Sequence, residues 1–199
     1  LARTQAADYE VRRDAITAAA AVLFAKKGFL GASVADLSAA CNISKSLIYH
    51  YFPAKEDILF AVMWGHVSML VEFGRQIGSF NREPEYLVGI FARGLMDAYV
   101  DAGDAQKILL NEMDNLPPDK RTLIVHAQRE VMDVLDKLLI QIRPQLKSQP
   151  KQRRPIVMLF FGMLNWTHTW LDPKGPMSPN KVAELATEIF LYGLPRKNV

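Results

Sequence analysis

Apolar positions recur along this chain at three- and four-residue spacing, the period of amphipathic helices. The breaks fall at glycine, proline and asparagine. A first helix is expected over residues 9–27, with Ile16, Ala20, Leu23 and Phe24 on one face. Gly28 ends it, and Lys26 and Lys27 suit its C-terminal dipole. Residues 1–8 read as a frayed arm; the less favoured reading is a minor-groove arm carrying Arg3.

The most informative stretch is SVADLSAACNISKSLIYHYFPAK, residues 33–55. Val34, Leu37 and Cys41 share one face of a short helix, and Ala39 and Ala40 keep it slim. Asn42 tolerates the left-handed conformation that closes a helix, and Ser44 is a good N-cap for the next one. In that second helix Leu47, Ile48 and Tyr51 are expected to pack inward, leaving Lys45, Ser46, Tyr49 and His50 largely on the outer face. Pro53 disfavours helical geometry at Phe52 and stops the helix. The outer face suits DNA: Lys45 can reach a guanine edge or a phosphate, Ser46 a base or the backbone, and Tyr49 a thymine methyl or a phosphate. His50 and Tyr51 carry donors that can hold the DNA backbone. Lys55, unfavourable to the dipole of the helix it opens, is explained on this reading by a DNA phosphate. Spacing alone leaves an ordinary helical hairpin with a solvated face as the competing reading.

Beyond residue 55 the helical pattern runs to about residue 77, with Ile58, Leu59, Val62 and Met63 facing the first three helices. Pro84 starts the next helix, which carries Leu87, Phe91, Leu95 and Tyr99. A short helix over residues 105–113 precedes a long one that Pro144 ends. Residues 143–154, RPQLKSQPKQRR, carry five basic residues and no acid, and read as a solvated linker with an anion site as the alternative. Two final helices are expected over residues 155–171 and 178–194. Both are apolar over more than one face, so each needs two neighbours.

The run AAAAVLFAKKGF, the alternation around Val34–Leu37 and SKSLIYHYFPAKEDILF together resemble the N-terminal domain of the TetR family of transcriptional repressors. The resemblance covers about the first third of the chain. It implies an all-α protein of about nine helices: a three-helix helix-turn-helix domain over residues 9–57, with the motif at about 33–52, and an effector-binding and dimerisation domain over residues 58–199. It implies that Ser33, Lys45, Ser46, Tyr49, His50, Tyr51 and Lys55 face DNA, with Ser44 opening the reading helix. In that family the last two helices usually form a four-helix dimer interface. Pattern and resemblance together put Met158, Phe161, Val182, Leu185, Ile189 and Phe190 there, and a symmetric operator needs a two-fold protein.

Composition narrows this further. The chain has 199 residues, half of them hydrophobic, enough for a substantial core. Its single cysteine, Cys41, excludes an intramolecular disulfide and fits a reducing cytoplasm. The net charge of +3 supports DNA binding only weakly, because residues 1–57 carry 7 basic against 6 acidic residues. No signal peptide or bilayer-length apolar run is visible. No Glu-x-x-His pair, phosphate-cradling loop, Cys–His metal spacing or nucleophile elbow appears, so no catalytic or metal site and no cofactor is assigned. A helical coenzyme-A- or lipid-binding enzyme and an effector-independent DNA-binding protein remain the alternatives.

The body is larger than a dimer handle requires, and candidates for an effector pocket are Trp64, Phe91, Met96, Tyr99 and Met113. Asn165, Trp166, His168 and Trp170 join them, because Asn165 and His168 interrupt an otherwise apolar pattern. The run FGMLNWTHTWLDPKGPMSPNKVAEL, with RTQAADYE near the start, resembles a narrower subgroup that represses fatty-acid, phenylacetate or sterol catabolism. That resemblance implies an acyl-CoA effector.

Overall fold

The computed structural model describes residues 2–194, with side chains from residue 7 onward. Within them every regular element is a helix: α1 (Ala2–Lys27), α2 (Val34–Cys41), α3 (Lys45–Tyr51), α4 (Lys55–Ser79), α5 (Pro84–Asp101), α6 (Gly103–Asn111), α7 (Pro118–Ile142), α8 (Pro150–Asn165) and α9 (Pro179–Tyr192). Short 3-10 helices fall at Met113–Asn115, Pro144–Ser148 and Trp166–Thr169. Helix α1 begins well before the expected residue 9, because nothing in residues 2–8 breaks a helix. The arm is therefore helical, while the side chain of Arg3 lies outside the described residues.

The chain forms two compact units: Leu1–Val67 with Asp104–Val125, and Ser68–Gly103 with His126–Val199. The division differs from the expected boundary after residue 57, because α6 and the start of α7 belong with the N-terminal helices. Side chains far along the sequence explain this. The Lys107 ammonium donates to the carbonyl of Ala25 at 2.7 Å, and Glu112 Oε1 accepts from the backbone N–H of Phe29 at 3.2 Å. Lys120 pairs with Asp57 on the first turn of α4, and His66 and Gln106 meet in the interior at 2.7 Å. The core of this unit holds Ile16, Ala20, Phe24, Leu37, Ile48 and Leu59.

In the second unit α5 packs chiefly on α9. The small residues Gly89, Ala183 and Ala186 let them approach. Phe91 stacks on Phe73 at 6.0 Å and meets Phe161 edge-on at 6.1 Å. Gly94 is required there, since a Cβ would stand 2.0 Å from the Phe73 ring.

The basic stretch 143–154 is helical rather than a loop, although most of it is exposed, as expected. Pro144 and Pro150 sit at helix starts, where a missing N–H costs little. Pro155 lies inside α8, past its first turn. Arg153 holds the segment down, donating from Nε to Asp136 Oδ1 at 2.7 Å and from a terminal nitrogen to the carbonyl of Leu146 at 2.8 Å. Helix α8 accordingly starts earlier and ends earlier than expected. Helix α4 is long and apolar enough to cross a membrane by length and composition, with a mean hydropathy of 1.3 over its most apolar 18 residues, and half of that window is buried inside the protein.

Candidate nucleic-acid interface

Helices α2 and α3 are set by local hydrogen bonding. Ser33 caps α2 in a reciprocal arrangement: its Oγ accepts from the backbone N–H of Asp36 at 3.1 Å, and Asp36 Oδ2 accepts from the backbone N–H of Ser33 at 2.9 Å. These bonds and the Lys27 ammonium, 2.9 Å from Asp36 Oδ1, hold the Asp36 carboxyl well below the usual carboxylate range. At the other end Asn42 adopts φ 52° and ψ 45°. Its N–H bonds to Ala39 O, and that of Ile43 bonds to Ser38 O, which satisfies the last turn of α2. Ser38 Oγ then donates to the carbonyl of Ile43 at 2.5 Å and ties the turn.

Ser44 caps α3 through a 3.1 Å bond from the backbone N–H of Leu47. Ile48 is fully buried, and Phe52, extended at φ −136° before Pro53, ends the helix with its ring in the core. Lys45, Ser46, Tyr49 and His50 all face outward, as the spacing predicts. Tyr51 is half-buried, its ring 4.5 Å from that of Tyr9 on α1, so it orients α3 as well as lining its outer edge.

Lys55 has partners within its own unit. Its ammonium donates to the carbonyls of Phe29 and Ala32, each at 2.6 Å, and lies 4.2 Å from the centre of the Phe29 ring. A positive charge at the start of α4 is thus explained by the carbonyls of the α1–α2 connection, and no DNA phosphate is needed to account for it. Ser33 is likewise engaged as a cap.

The expected effector residues do not gather around one cavity within either unit. Phe91, Met96 and Tyr99 are buried in the second unit, where the Thr167 hydroxyl donates to the Leu164 carbonyl at 2.6 Å and its oxygen lies 3.6 Å from the Met96 sulfur. Trp64, stacked on Phe60 at 5.6 Å, and Met113 belong to the first unit. His168 is exposed, as are Trp166 and Trp170, because α8 stops at Asn165; the partner of the imidazole Nδ1 is the Asn165 carbonyl at 2.6 Å. The argument from buried polar residues therefore fails at His168. Two sizeable cavities in the second unit are lined by other residues. One, of about 660 Å³, lies among α4, α5 and α7; the other, of about 720 Å³, lies among α7, α8 and α9.

Of the expected interface residues, Phe161 and Val182 are buried inside their own unit, so they are not available to a partner surface. Met158 and Leu185 are exposed, and Ile189 and Phe190 are partly so. Leu159, at 68 % exposure, Trp166 at 65 % and Tyr192 at 72 % are further exposed apolar side chains of this region; the sequence reading gave Trp166 to the effector pocket.

Residues 16–62 match the bacterial regulatory proteins of the tetR family, and residues 88–194 match the tetracyclin repressor-like C-terminal domain, more than half of the chain. The chain belongs to the TetR family of transcriptional regulators. A TetR-family regulator from Bordetella parapertussis is 35 % identical over 92 % of this chain and 95 % of its own, with a TM-score of 0.87. The repressor KstR2 of Mycobacterium tuberculosis is 25 % identical over 94 % of this regulator and 95 % of itself. The structure of AibR in complex with isovaleryl coenzyme A and operator DNA is 25 % identical, covers 89 % of this regulator and 97 % of AibR, and has a TM-score of 0.78. The helix-turn-helix of this regulator is therefore a DNA-binding element, with α3 as its second helix.

Proposed function

We propose that two copies of this regulator repress transcription from a near-palindromic operator, read through Lys45, Ser46, Tyr49 and His50, and that an acyl-CoA thioester releases them. The outward row on α3 carries the reading: four polar or aromatic side chains on a helix whose opposite face is locked by Ile48 and Phe52. Dimerisation is supported by the exposed apolar side chains Met158, Leu159, Trp166, Leu185 and Tyr192 on α8, α9 and the turn between them, which a second copy would cover. The effector class is supported by AibR, whose structure holds both isovaleryl coenzyme A and operator DNA. Repression is supported by KstR2, itself a repressor.

Fluorescence anisotropy with an operator duplex found by selection tests this. Lys45→Ala and Tyr49→Ala should each weaken binding by about 1–3 kcal/mol. Leu159→Asp should give a folded monomer with much weaker operator binding, because it places a charge in a desolvated interface. Acyl-CoA should lower operator affinity, and DNA should lower acyl-CoA affinity by the same factor. Variants at Lys45 and Tyr49 that bind like wild type would remove α3 from its reading role.

A further inference from the structure

We infer that Tyr9, on the N-terminal part of α1, is a positioning residue of the DNA interface: its ring holds the last turn of α3 and sets the direction in which His50 faces DNA. The inference rests on the outward row of α3 proposed above and adds to it a residue from another helix. Helix α3 has seven residues, too few to hold a helix in water without outside support. The Ser44 cap fixes its first turn, and Ile48 anchors its middle in the core. The last turn carries Tyr49 and His50, both exposed, and rings hold it. Tyr9 and Tyr51 lie 4.5 Å apart between ring centres, tilted by 35°. His50 stands edge-on to both, 6.3 Å from Tyr9 at 79° and 5.4 Å from Tyr51 at 84°. The separations are those of favourable ring pairs, and the two contacts to His50 have the edge-to-face geometry that ring quadrupoles favour. The imidazole is thus nearly perpendicular to two rings at once, and removing Tyr9 leaves it one.

The stretch of α1 that carries Tyr9 supplies a second observation. Among the described side chains, none from residue 7 to residue 15 is buried, and α1 enters the core at Ile16. Burial therefore does not explain these two turns. What they reach is the end of α3: Tyr9 meets Tyr51 and His50, and the Arg13 guanidinium lies 5.4 Å from the centre of the Phe52 ring. Tyr9, Arg13, Ile16 and Ala20 follow one another at four- and three-residue spacing, so they share one face of α1. The face that fills the core at Ile16 and Ala20 continues outward along the last turn of α3. Tyr9 is itself 36 % exposed, so it stands beside the outward row and not beneath it.

The test is a double-mutant cycle on the full chain, with Tyr9→Ala, His50→Ala and the pair compared with wild type. Operator binding is read by fluorescence anisotropy under conditions where circular dichroism shows each protein folded. Alanine is the best helix former, so Tyr9→Ala keeps α1 intact. It should weaken operator binding roughly tenfold, because a ring pair is worth a few-fold in affinity and two copies each carry it. His50→Ala should weaken binding too. The pair should be no more than about twofold weaker than His50→Ala alone, since Tyr9 acts through that imidazole. Tyr9→Phe keeps the ring and should bind like wild type. Val11→Ala, at a side chain 70 % exposed on the same helix, should leave affinity unchanged. Should Tyr9→Ala not fold, Tyr9→Leu, which keeps apolar bulk without a ring, takes its place in the cycle. Tyr9→Ala that binds like wild type, with His50→Ala weakened, overturns the positioning role and leaves the outward row standing. Losses that multiply in the pair overturn it as well. Tyr9→Phe as weak as Tyr9→Ala puts the hydroxyl on DNA and replaces positioning by direct contact. His50→Ala that binds like wild type overturns the reading of His50 and this inference with it.

Discussion

Replacing Lys55 by methionine separates an internal role from a DNA role at one position. Methionine keeps the length and apolar stem of lysine and removes the charge. In the structure the ammonium makes two 2.6 Å bonds to main-chain carbonyls and sits over the Phe29 ring. Hydrogen bonds to charged groups contribute about 1.5–3 kcal/mol each when fully desolvated. Lys55 is only partly buried, so water can reach the freed carbonyls. Loss of the ring contact adds about 0.5–1 kcal/mol. The expected cost is therefore about 2 kcal/mol, read as a lower urea midpoint at unchanged m-value. The second readout is operator affinity against salt. A lysine bound to a phosphate contributes about 0.9 to the slope of log K against log salt, hence about twice that in a dimer. With its charge spent on Phe29 and Ala32, Lys55→Met should leave the slope unchanged under conditions where the variant stays folded. An unchanged urea midpoint together with a slope flattened by about two would refute the internal role and restore the phosphate contact.

Three further outcomes follow from the same geometry. Ser44→Ala removes the cap of a seven-residue helix and should cost about 0.5–2 kcal/mol of stability, with a larger fractional loss of operator affinity than a surface change of equal stability; Ser44→Asp should restore most of it. Burial, partly opposed by the bond to Gln106, pushes the His66 pKa below its usual 6.5. Because the folded value is the lower one, the unfolded chain takes up a proton first, so stability should fall as pH drops below about 6.5, by at most about 1.4 kcal/mol per pH unit; denaturation midpoints at pH 5, 6 and 7 should show this trend in wild type and a flatter one in His66→Gln. Glu112→Ala strips the acceptor from the Phe29 and Asn115 N–H groups, and hydrogen exchange at the amide of Phe29 should speed up while exchange in α9 stays as it was.

Much of the helix-turn-helix was legible because its determinants are neighbours in sequence. Asn42 in the left-handed region, Ser44 as a cap and Phe52 held extended by Pro53 are each decided within a few residues by sterics and local hydrogen bonds. The outward row of α3 follows from helical period alone once Ile48 is known to face in. What the sequence could not decide depended on groups that meet across long stretches of chain. Lys55 finds its carbonyls 23 and 26 residues away, and Glu112 reaches Phe29 across 83. That second contact, with Lys107 and Lys120, draws α6 into the DNA-binding unit and moves the boundary. Helical spacing also treats Phe91 and Trp166 alike, yet one fills the core and the other lies on the surface. Periodicity identifies an apolar face but not what covers it, and a cavity is whatever volume the packed helices leave unfilled, so its lining is a property of the tertiary structure alone.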